Sequence, residues 1–180
     1  RKRESAQHVG WGLFLKARSQ LAQGKAEAAI ELLTEARALL RPLPDRLSLS
    51  ICEGLLAQAL LATDRLREAT EVCRALGGRT SGPVLALAPC VHAYEAMVGV
   101  AVAQWSRSTG REAKQWRTKA RQACRDLARF ARMFPIGVPA RLRSLAQCAE
   151  LDHRPERAQR LLAESRLSAQ SLGMSPVARA

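Results

Sequence analysis

Four short polar turns most constrain what this chain can fold into, because they interrupt helical patterns at nearly regular intervals. They centre on Gly24, Asp64, Gly110 and His153, which stand 40, 46 and 43 residues apart. Glycine readily adopts the left-handed conformation that ends a helix. Similarity at a fixed period of this length is the signature of a helical repeat array. The turns therefore predict an all-α chain of about four antiparallel helix hairpins, stacked as a right-handed α-solenoid.

The bounds of the hairpins follow from these turns and from prolines and glycines that end helices, such as Pro42 and Pro44. We predict hairpins at residues 9–40, 45–76, 84–134 and 139–172, all within a single repeat domain spanning 1–180. Residues 175–180 are interpreted as the start of a further, truncated helix. Because the sequence begins without Met and ends inside this pattern, we expect it to be a piece of a longer protein.

The returning helix of most hairpins carries small and large apolar residues in the order found in tetratricopeptide repeats. Small residues are required where two helix backbones approach closely, and large ones fill the remaining space. The period here exceeds that of a true tetratricopeptide unit, which is about 34 residues, so the repeats are only tetratricopeptide-like. An ordinary helical bundle is the alternative interpretation. The positions concerned are Ala29, Leu33, Ala36 and Leu39, then Ala69, Cys73 and Leu76, then Ala158, Leu162, Ser165 and Leu172.

The stretch 111–134 is predicted to be a long helix, the sixth of the chain (α6), with one apolar and one basic side. At about 100° per residue, Trp116, Ala120, Ala123, Leu127, Phe130 and Phe134 share one side. The cations of the other side are Arg111, Lys114, Arg117, Arg121, Arg125, Arg129 and Arg132, which we call the α6 basic face. Such a row can meet a polyanion or nucleic acid. No aromatic residue interleaves with it, so base stacking has little support, and the alternative is a solvated face paired with acids of the next repeat.

The net charge of +13 also has two interpretations. A basic surface attracts nucleic acid, anionic lipid or an acidic protein. Alternatively, a GC-rich genome encodes helix surfaces with arginine. Asparagine is absent from the chain, which argues against the lysine–asparagine carboxylate clamp of chaperone-binding tetratricopeptide domains. Four aromatic residues on the first helices of pairs are candidates to line a peptide groove, although core packing is their commoner role. They are Trp11, Phe14, Tyr94 and Trp105.

No sequence motif indicates an enzyme, a cofactor or a metal site. Phosphate-binding loops, dinucleotide fingerprints, HExxH and GxSxG are all absent from the sequence. The five cysteines, at 52, 73, 90, 124 and 148, include no CxxC pair and indicate reduced, buried thiols of a cytoplasmic protein. No apolar run reaches the roughly 18 residues of a membrane span. We therefore expect a non-catalytic fragment with no catalytic residues, cofactor, metal or membrane partner.

The second half of the chain resembles the tail of large bacterial signalling proteins. Phe134, Pro135, Ile136, Gly137 and Pro139 match a Phe-Pro-Ile-Gly-x-Pro corner of that family. Arg154-Pro155 matches its next turn, and Leu172-Gly173-Met174 matches the segment that follows, where Ser175-Pro176 departs from the usual Met-Pro. These proteins join a class III nucleotide cyclase or a serine/threonine kinase to a STAND/AAA-type ATPase and a long tetratricopeptide-like array.

The resemblance covers roughly residues 111–180 and implies a module for protein–protein interaction or regulatory sensing. The partner would be a protein, a peptide or another domain of the parent chain. An effector-sensing array of a STAND-type transcription activator is the first alternative, and binding of nucleic acid or another polyanion through the α6 basic face is the second. Neither the identity of the partner nor the oligomeric state follows from the sequence.

Overall fold

The computed structural model describes residues 2–77 and 88–174, and places them in two compact units, one on each side of residues 78–87. Within these two ranges the chain forms eight α-helices and no β-strand, which confirms the all-α prediction. None of the helices in the described ranges is long and apolar enough to cross a membrane. The predicted further helix at 175–180 lies outside the described residues, as does the predicted helix start at 84–87.

The first unit contains α1 (Lys2–Ala22), α2 (Ala26–Leu40), α3 (Arg46–Ala62) and α4 (Leu66–Gly77). Each helix packs against the next along the chain, and α1 also contacts α3. Asp45 begins α3 as its N-cap, because its carboxylate accepts a hydrogen bond of 3.0 Å from the backbone N–H of Ser48. From Ser48 to Ala57 every residue of α3 is buried, so this helix forms the centre of the first unit.

The second unit begins with a single 3-10 turn (Ala88–Cys90) and continues as α5 (Val91–Arg107), α6 (Gly110–Met133), α7 (Gly137–Leu151) and α8 (Pro155–Ser171). Consecutive helices again pack together, and α5 also contacts α7. Ala146 and Ala149 of α7 pack against Ala158 and Leu161 of α8. Three of these four residues are alanines, whose small side chains allow close packing of the two helices.

Among the helix ends in the described ranges, four close with the same hydrogen-bonded turn. In each, a residue with positive φ follows the helix, and the next backbone N–H donates to the carbonyl five residues earlier, which is the Schellman motif. The left-handed residues are Gly24 (φ 76°), Asp64 (φ 61°), His153 (φ 57°) and Gly173 (φ 65°). The closing bonds run from Lys25 to Gln20, Arg65 to Leu60, Arg154 to Ala149 and Met174 to Ala169, all at 2.8–2.9 Å. The turns at Gly24, Asp64 and His153 fall at predicted positions, and the closure at Gly173 is an additional one.

The turn between α5 and α6 is different. Ser108 and Thr109 are extended, and Gly110 adopts a positive φ of 56° as the first residue of α6 instead of closing the preceding helix. The α5–α6 pair is the one whose returning helix lacks the tetratricopeptide-like pattern of small and large residues. Its turn also differs in geometry from the other turns.

Three helix starts differ from the predicted bounds by more than one residue. α1 begins at Lys2, before Val9, because the polar residues that precede Val9 include no helix breaker even though they lack apolar periodicity. α5 begins at Val91 after the 3-10 turn. α7 begins at Gly137, two residues before Pro139, which is accommodated because the first turn of a helix needs no N–H from proline.

Candidate ligand-binding surface on the second unit

The apolar side of α6 is its packing side, as the sequence pattern predicts. Ala120, Leu127 and Phe130 are fully or almost fully buried. Trp116 is half-buried, and Lys119 places its ammonium group 4.0 Å from the centre of the Trp116 ring. The basic side of the helix consequently faces solvent, where the structure divides its seven cations into two groups.

Four cations of the α6 basic face have polar partners within the second unit. Arg117 and Arg121 both reach Asp152, at the C-terminal end of α7, with nitrogen–oxygen distances of 2.6 and 3.0 Å. Arg129 pairs with Asp126 on its own helix at 3.0 Å, and Arg125 donates to the side-chain oxygen of Gln122. The predicted alternative, in which the basic face is partly paired with acids of the next helix pair, therefore describes the Asp152 contacts.

The carboxylate of Asp152 is held in its charged form by these contacts. Burial alone would raise the pKa of Asp152. Hydrogen bonds and the positive charges of Arg121 and Arg117 outweigh this effect and keep the pKa of Asp152 below its ordinary value. One carboxylate thus neutralises only part of the charge of the two guanidinium groups beside it.

The remaining three cations, Arg111, Lys114 and Arg132, are exposed and form no ion pair with any residue that the structure describes. Arg111 and Lys114 lie in the first two turns of α6, whereas Arg132 lies near its end. The α6 basic face is therefore unpaired at both ends and paired in the middle.

A shallow pocket of about 260 Å³ lies beside the first of these ends. It is lined by Trp105, Ala113, Lys114, Arg117, Leu151, Asp152 and His153, all of the second unit. The pocket combines an indole and an aliphatic wall with one unpaired ammonium group and one paired guanidinium group. Such a lining suits a ligand that has both an apolar part and a negative charge.

Trp105 and Arg117 fix the geometry of this pocket. The guanidinium carbon of Arg117 lies 5.6 Å from the centre of the Trp105 ring. This distance is within the range of a cation–π contact. The Nε atom of Arg117 is buried and has no hydrogen-bond partner in the described part of the chain. Arg117 is therefore held by Trp105 and Asp152 while keeping one donor unused.

The four candidate groove aromatics occupy different surroundings, and their groove-lining role stays a prediction. Trp11 is partly exposed, and its indole N–H donates to Asp45 and Ser48. Phe14 is buried in the first unit. In the second unit, Tyr94 stacks 5.0 Å from Phe130, between ring centres, whereas Trp105 is half-exposed in the pocket. Of the four, only Trp105 lines this pocket.

Sequence reasoning missed two features that depend on contacts between helices. Arg143 of α7 donates to Glu95 of α5 at 2.6 Å, and the His92 Nδ1 atom lies 3.7 Å from the other carboxylate oxygen of Glu95. Interactions with His92 and Arg143 keep the pKa of Glu95 low despite its burial. Cys124 and Cys148 bring their sulfur atoms to 3.8 Å. The sequence does contain a signal for the approach of the two cysteines. Cys124 lies ten residues before Phe134 and Cys148 lies eleven residues after Gly137, so antiparallel packing of α6 and α7 places them at the same height along the helices.

The described residues include no group of three or more His, Cys, Asp or Glu side chains that could hold a metal ion. Comparison with known proteins gives no family assignment, since no family profile, curated protein or solved structure matches this chain. The candidate site is thus defined by its own chemistry alone.

Proposed function

We propose that this chain is a non-catalytic interaction module that binds an acidic segment of a protein partner. In this proposal the four helix pairs form a tetratricopeptide-like α-solenoid within a larger cytoplasmic signalling ATPase, cyclase or kinase. The acidic segment lies along the α6 basic face, with an apolar side chain in the pocket beside Trp105.

The recurrent turn supports the repeat part of this proposal. Schellman closures at Gly24, Asp64 and His153 join the two helices in three of the four pairs, and a further closure at Gly173 follows α8. Repeats of this kind stack to form extended surfaces, and such surfaces commonly bind proteins. The resemblance of the corner at Phe134–Pro139 to bacterial signalling arrays supports the proposed parent.

The observation that carries the choice of partner is the unpaired end of the α6 basic face. Arg111 and Lys114 have no acidic partner in the described part of the chain, and Lys114 lies in the same pocket as the half-exposed Trp105. A carboxylate-bearing peptide satisfies the exposed ammonium group of Lys114, while its apolar side chain covers the indole. Charge on both sides of the interface mainly sets the association rate and the specificity.

The test is a titration of a fluorescent glutamate-rich peptide that contains one leucine or phenylalanine. Arg111→Glu/Lys114→Glu/Arg132→Glu is expected to raise the dissociation constant by about tenfold or more, equivalent to about 1.4 kcal/mol. The matched control is Lys16→Glu/Arg18→Glu/Arg41→Glu, which changes net charge equally at exposed positions of the first unit. Equal weakening by both variants would show that only overall charge matters and would overturn the proposed site.

Polyanion binding is the second candidate, favoured by the length of the cation row. α6 contains 24 residues. A helix of that size spans about 36 Å, long enough to follow a phosphate backbone. Four of the seven cations already have partners in the second unit, which favours the peptide. Single-stranded and duplex nucleic acid in the same assay distinguish polyanion binding from peptide binding. For a phosphate backbone, the logarithm of the association constant falls steeply and linearly with the logarithm of salt concentration.

The parent protein decides between the two signalling versions of the proposal. In an ATPase, cyclase or kinase, the acidic partner is expected to change nucleotide turnover of the full-length chain, which demonstrates coupling between two sites. An upstream DNA-binding domain with a STAND-type ATPase would instead identify an effector-sensing transcription activator. The isolated chain is expected to hydrolyse no nucleotide in either case, and measurable turnover would contradict its non-catalytic assignment.

A further inference from the structure

Two cysteine side chains face each other across the contact between α6 and α7. The sulfur atoms of Cys124 and Cys148 are 3.8 Å apart, although 24 residues separate them in sequence. Their residues are 5% and 7% exposed. A disulfide bond has a sulfur–sulfur length of about 2.05 Å, so small side-chain rotations that bring the two sulfur atoms about 1.8 Å closer would allow bonding.

The pair lies just beneath the charged side of the second unit. The positive charge of Arg125 acts on Cys124, and that of Arg121 acts on Cys148. Asp152, which holds Arg121, also acts on Cys148. The thiols therefore lie within electrostatic range of partly exposed charged side chains, and each cysteine keeps a small part of its surface open to solvent.

We propose that Cys124 and Cys148 form a redox modification site, which a hydroperoxide converts reversibly to a disulfide that links α6 to α7. The proposal depends on the geometry of these two helices and is independent of the proposed peptide site. The disulfide links covalently α6, which carries Arg117 and Arg121, and α7, which ends at Asp152.

The reaction proceeds in two balanced steps. The Cys148 thiol releases its proton to water, and the thiolate attacks one oxygen of the hydroperoxide, whose other oxygen leaves as water or an alcohol, giving a sulfenic acid. The Cys124 sulfur then attacks the sulfenic sulfur, releasing water as the disulfide forms. Two thiols are oxidised by two electrons in total, and the hydroperoxide is reduced by the same two.

Either thiol can donate the hydrogen bond between the two sulfur atoms, so the surroundings decide which thiol reacts first. Contact with Cys124 lowers the pKa of Cys148, against the opposing effects of burial and of Asp152, while the same contact raises the pKa of Cys124. The thiolate is the attacking species, so Cys148 reacts first. By contrast, burial raises the pKa of Cys52 and of Cys73 to about 12, which makes them internal controls of low reactivity.

The test treats the folded 180-residue chain with hydrogen peroxide, blocks the remaining thiols by alkylation, and maps tryptic peptides by mass spectrometry. We expect a cross-linked product of residues 122–125 and 144–157, about 2 Da lighter than the two reduced peptides together. The second peptide extends to Arg157 because trypsin does not cleave the Arg154–Pro155 bond. A reductant is expected to restore both peptides, and alkylatable thiols are expected to fall from five to three on oxidation.

Two comparisons make the outcome decisive. Cys124→Ser is expected to abolish the cross-linked product, whereas Cys90→Ser leaves it unchanged. The peptide map of the wild-type chain still tests the proposal if a variant fails to fold. Recovery of all five cysteines as thiols, or of pairings that include Cys52, Cys73 or Cys90 at the frequency found for the denatured chain, would overturn the proposal.

Discussion

Two helix contacts in this protein join equivalent helices but differ in how deeply their ion pairs are buried. Each joins the returning helix of one pair to the outgoing helix of the next, α2 to α3 in the first unit and α6 to α7 in the second. Between α2 and α3, Arg37 donates to Glu53 at 2.9 Å, and only 2% of the Glu53 side chain is exposed. Between α6 and α7, Asp152 is 14% exposed, and its partners Arg117 and Arg121 are 43% and 49% exposed.

The difference teaches which ion pair is structural and which can change partners. Removing one member of a buried pair leaves a charge without compensation and costs several kcal/mol. An exposed pair contributes about 0–1 kcal/mol and is screened by salt. Glu53 and Arg37 therefore fix the first contact, whereas Arg117 and Arg121 can accept a second carboxylate with little effect on folding.

The largest expected effect comes from removing the cation of the buried pair. Arg37→Met keeps most of the side-chain volume but leaves the Glu53 carboxylate in the core. We expect it to lower the free energy of unfolding by about 2–3 kcal/mol. This is below the full figure for a buried pair because the Arg37 side chain is 27% exposed. Urea denaturation measures the change, and Arg37→Met/Glu53→Met should recover much of the loss. A loss below about 0.5 kcal/mol for the single variant would remove the distinction between the two contacts.

Packing at the start of α7 gives the next largest effect. A Cβ atom added at Gly137 would lie 2.8 Å from Phe130 Cδ1 and 3.2 Å from Ala131 Cα. Phe130 cannot move aside easily, because it is buried between Tyr94 and Phe134. Gly137→Ala is therefore expected to cost about 1–3 kcal/mol by thermal or urea unfolding. The control is Gly12→Ala within α1, where nothing lies within 4 Å of the added atom. A gain of about 0.5–1 kcal/mol is expected there.

The exposed pair gives a smaller effect that depends on pH and salt. Asp152→Asn is expected to cost about 0.5–1 kcal/mol at neutral pH and low salt. The pKa of Asp152 is lower in the folded state than its ordinary value of 3.8. Its contribution is therefore present above that value and is lost as pH falls through the folded pKa. Unfolding curves from about pH 6 to about pH 2 should converge for the two proteins. A difference that persists at about 1 M salt would indicate that Asp152 acts as a buried ion, like Glu53.

The smallest expected effect lies in the turn that follows Asp152. His153 adopts a φ of 57°. This conformation favours glycine, so His153→Gly is expected to stabilise the protein by about 0.5 kcal/mol, seen as a small rise in melting temperature, because relief of strain exceeds the entropy of the added glycine. Gly24→Ala tests the same turn in the first unit and should destabilise by about 1 kcal/mol. The two substitutions are expected to change stability in opposite directions. A loss of stability in His153→Gly would show that the His153 side chain stabilises the turn.

Local features of the fold could be predicted from the sequence, because each depends on residues close together in the chain. The turns at Gly24 and His153 require only a residue that tolerates positive φ, and the packing side of α6 follows from helical periodicity. The start of α1 at Lys2 was missed because polar residues continue a helix without any periodic mark. The tetratricopeptide-like family stays a prediction.

Most contacts between helices could not be predicted from the sequence, because its patterns do not fix the register of one helix against another. The Arg37–Glu53 pair, the Arg121–Asp152 pair and the approach of Cys124 to Cys148 each depend on the register of two helices, to within about one turn of 5.4 Å. The sequence identified Arg117 and Arg121 as basic-face residues and offered pairing with acids of the next repeat as an alternative, but it could not identify Asp152 as the acid. The pocket beside Trp105 similarly requires the end of α7 to lie against α6.

The recurrent Schellman turn also affects how such a gene can change. All of its hydrogen bonds lie within six residues, from Leu60 to Arg65 in one case and from Ala149 to Arg154 in another. A recombination event between two of these turns joins one helix end to an equivalent connection and re-forms the same cap. Whole repeats can thus be gained or lost by unequal exchange of DNA, while the alternation of helices and turns in the protein is preserved.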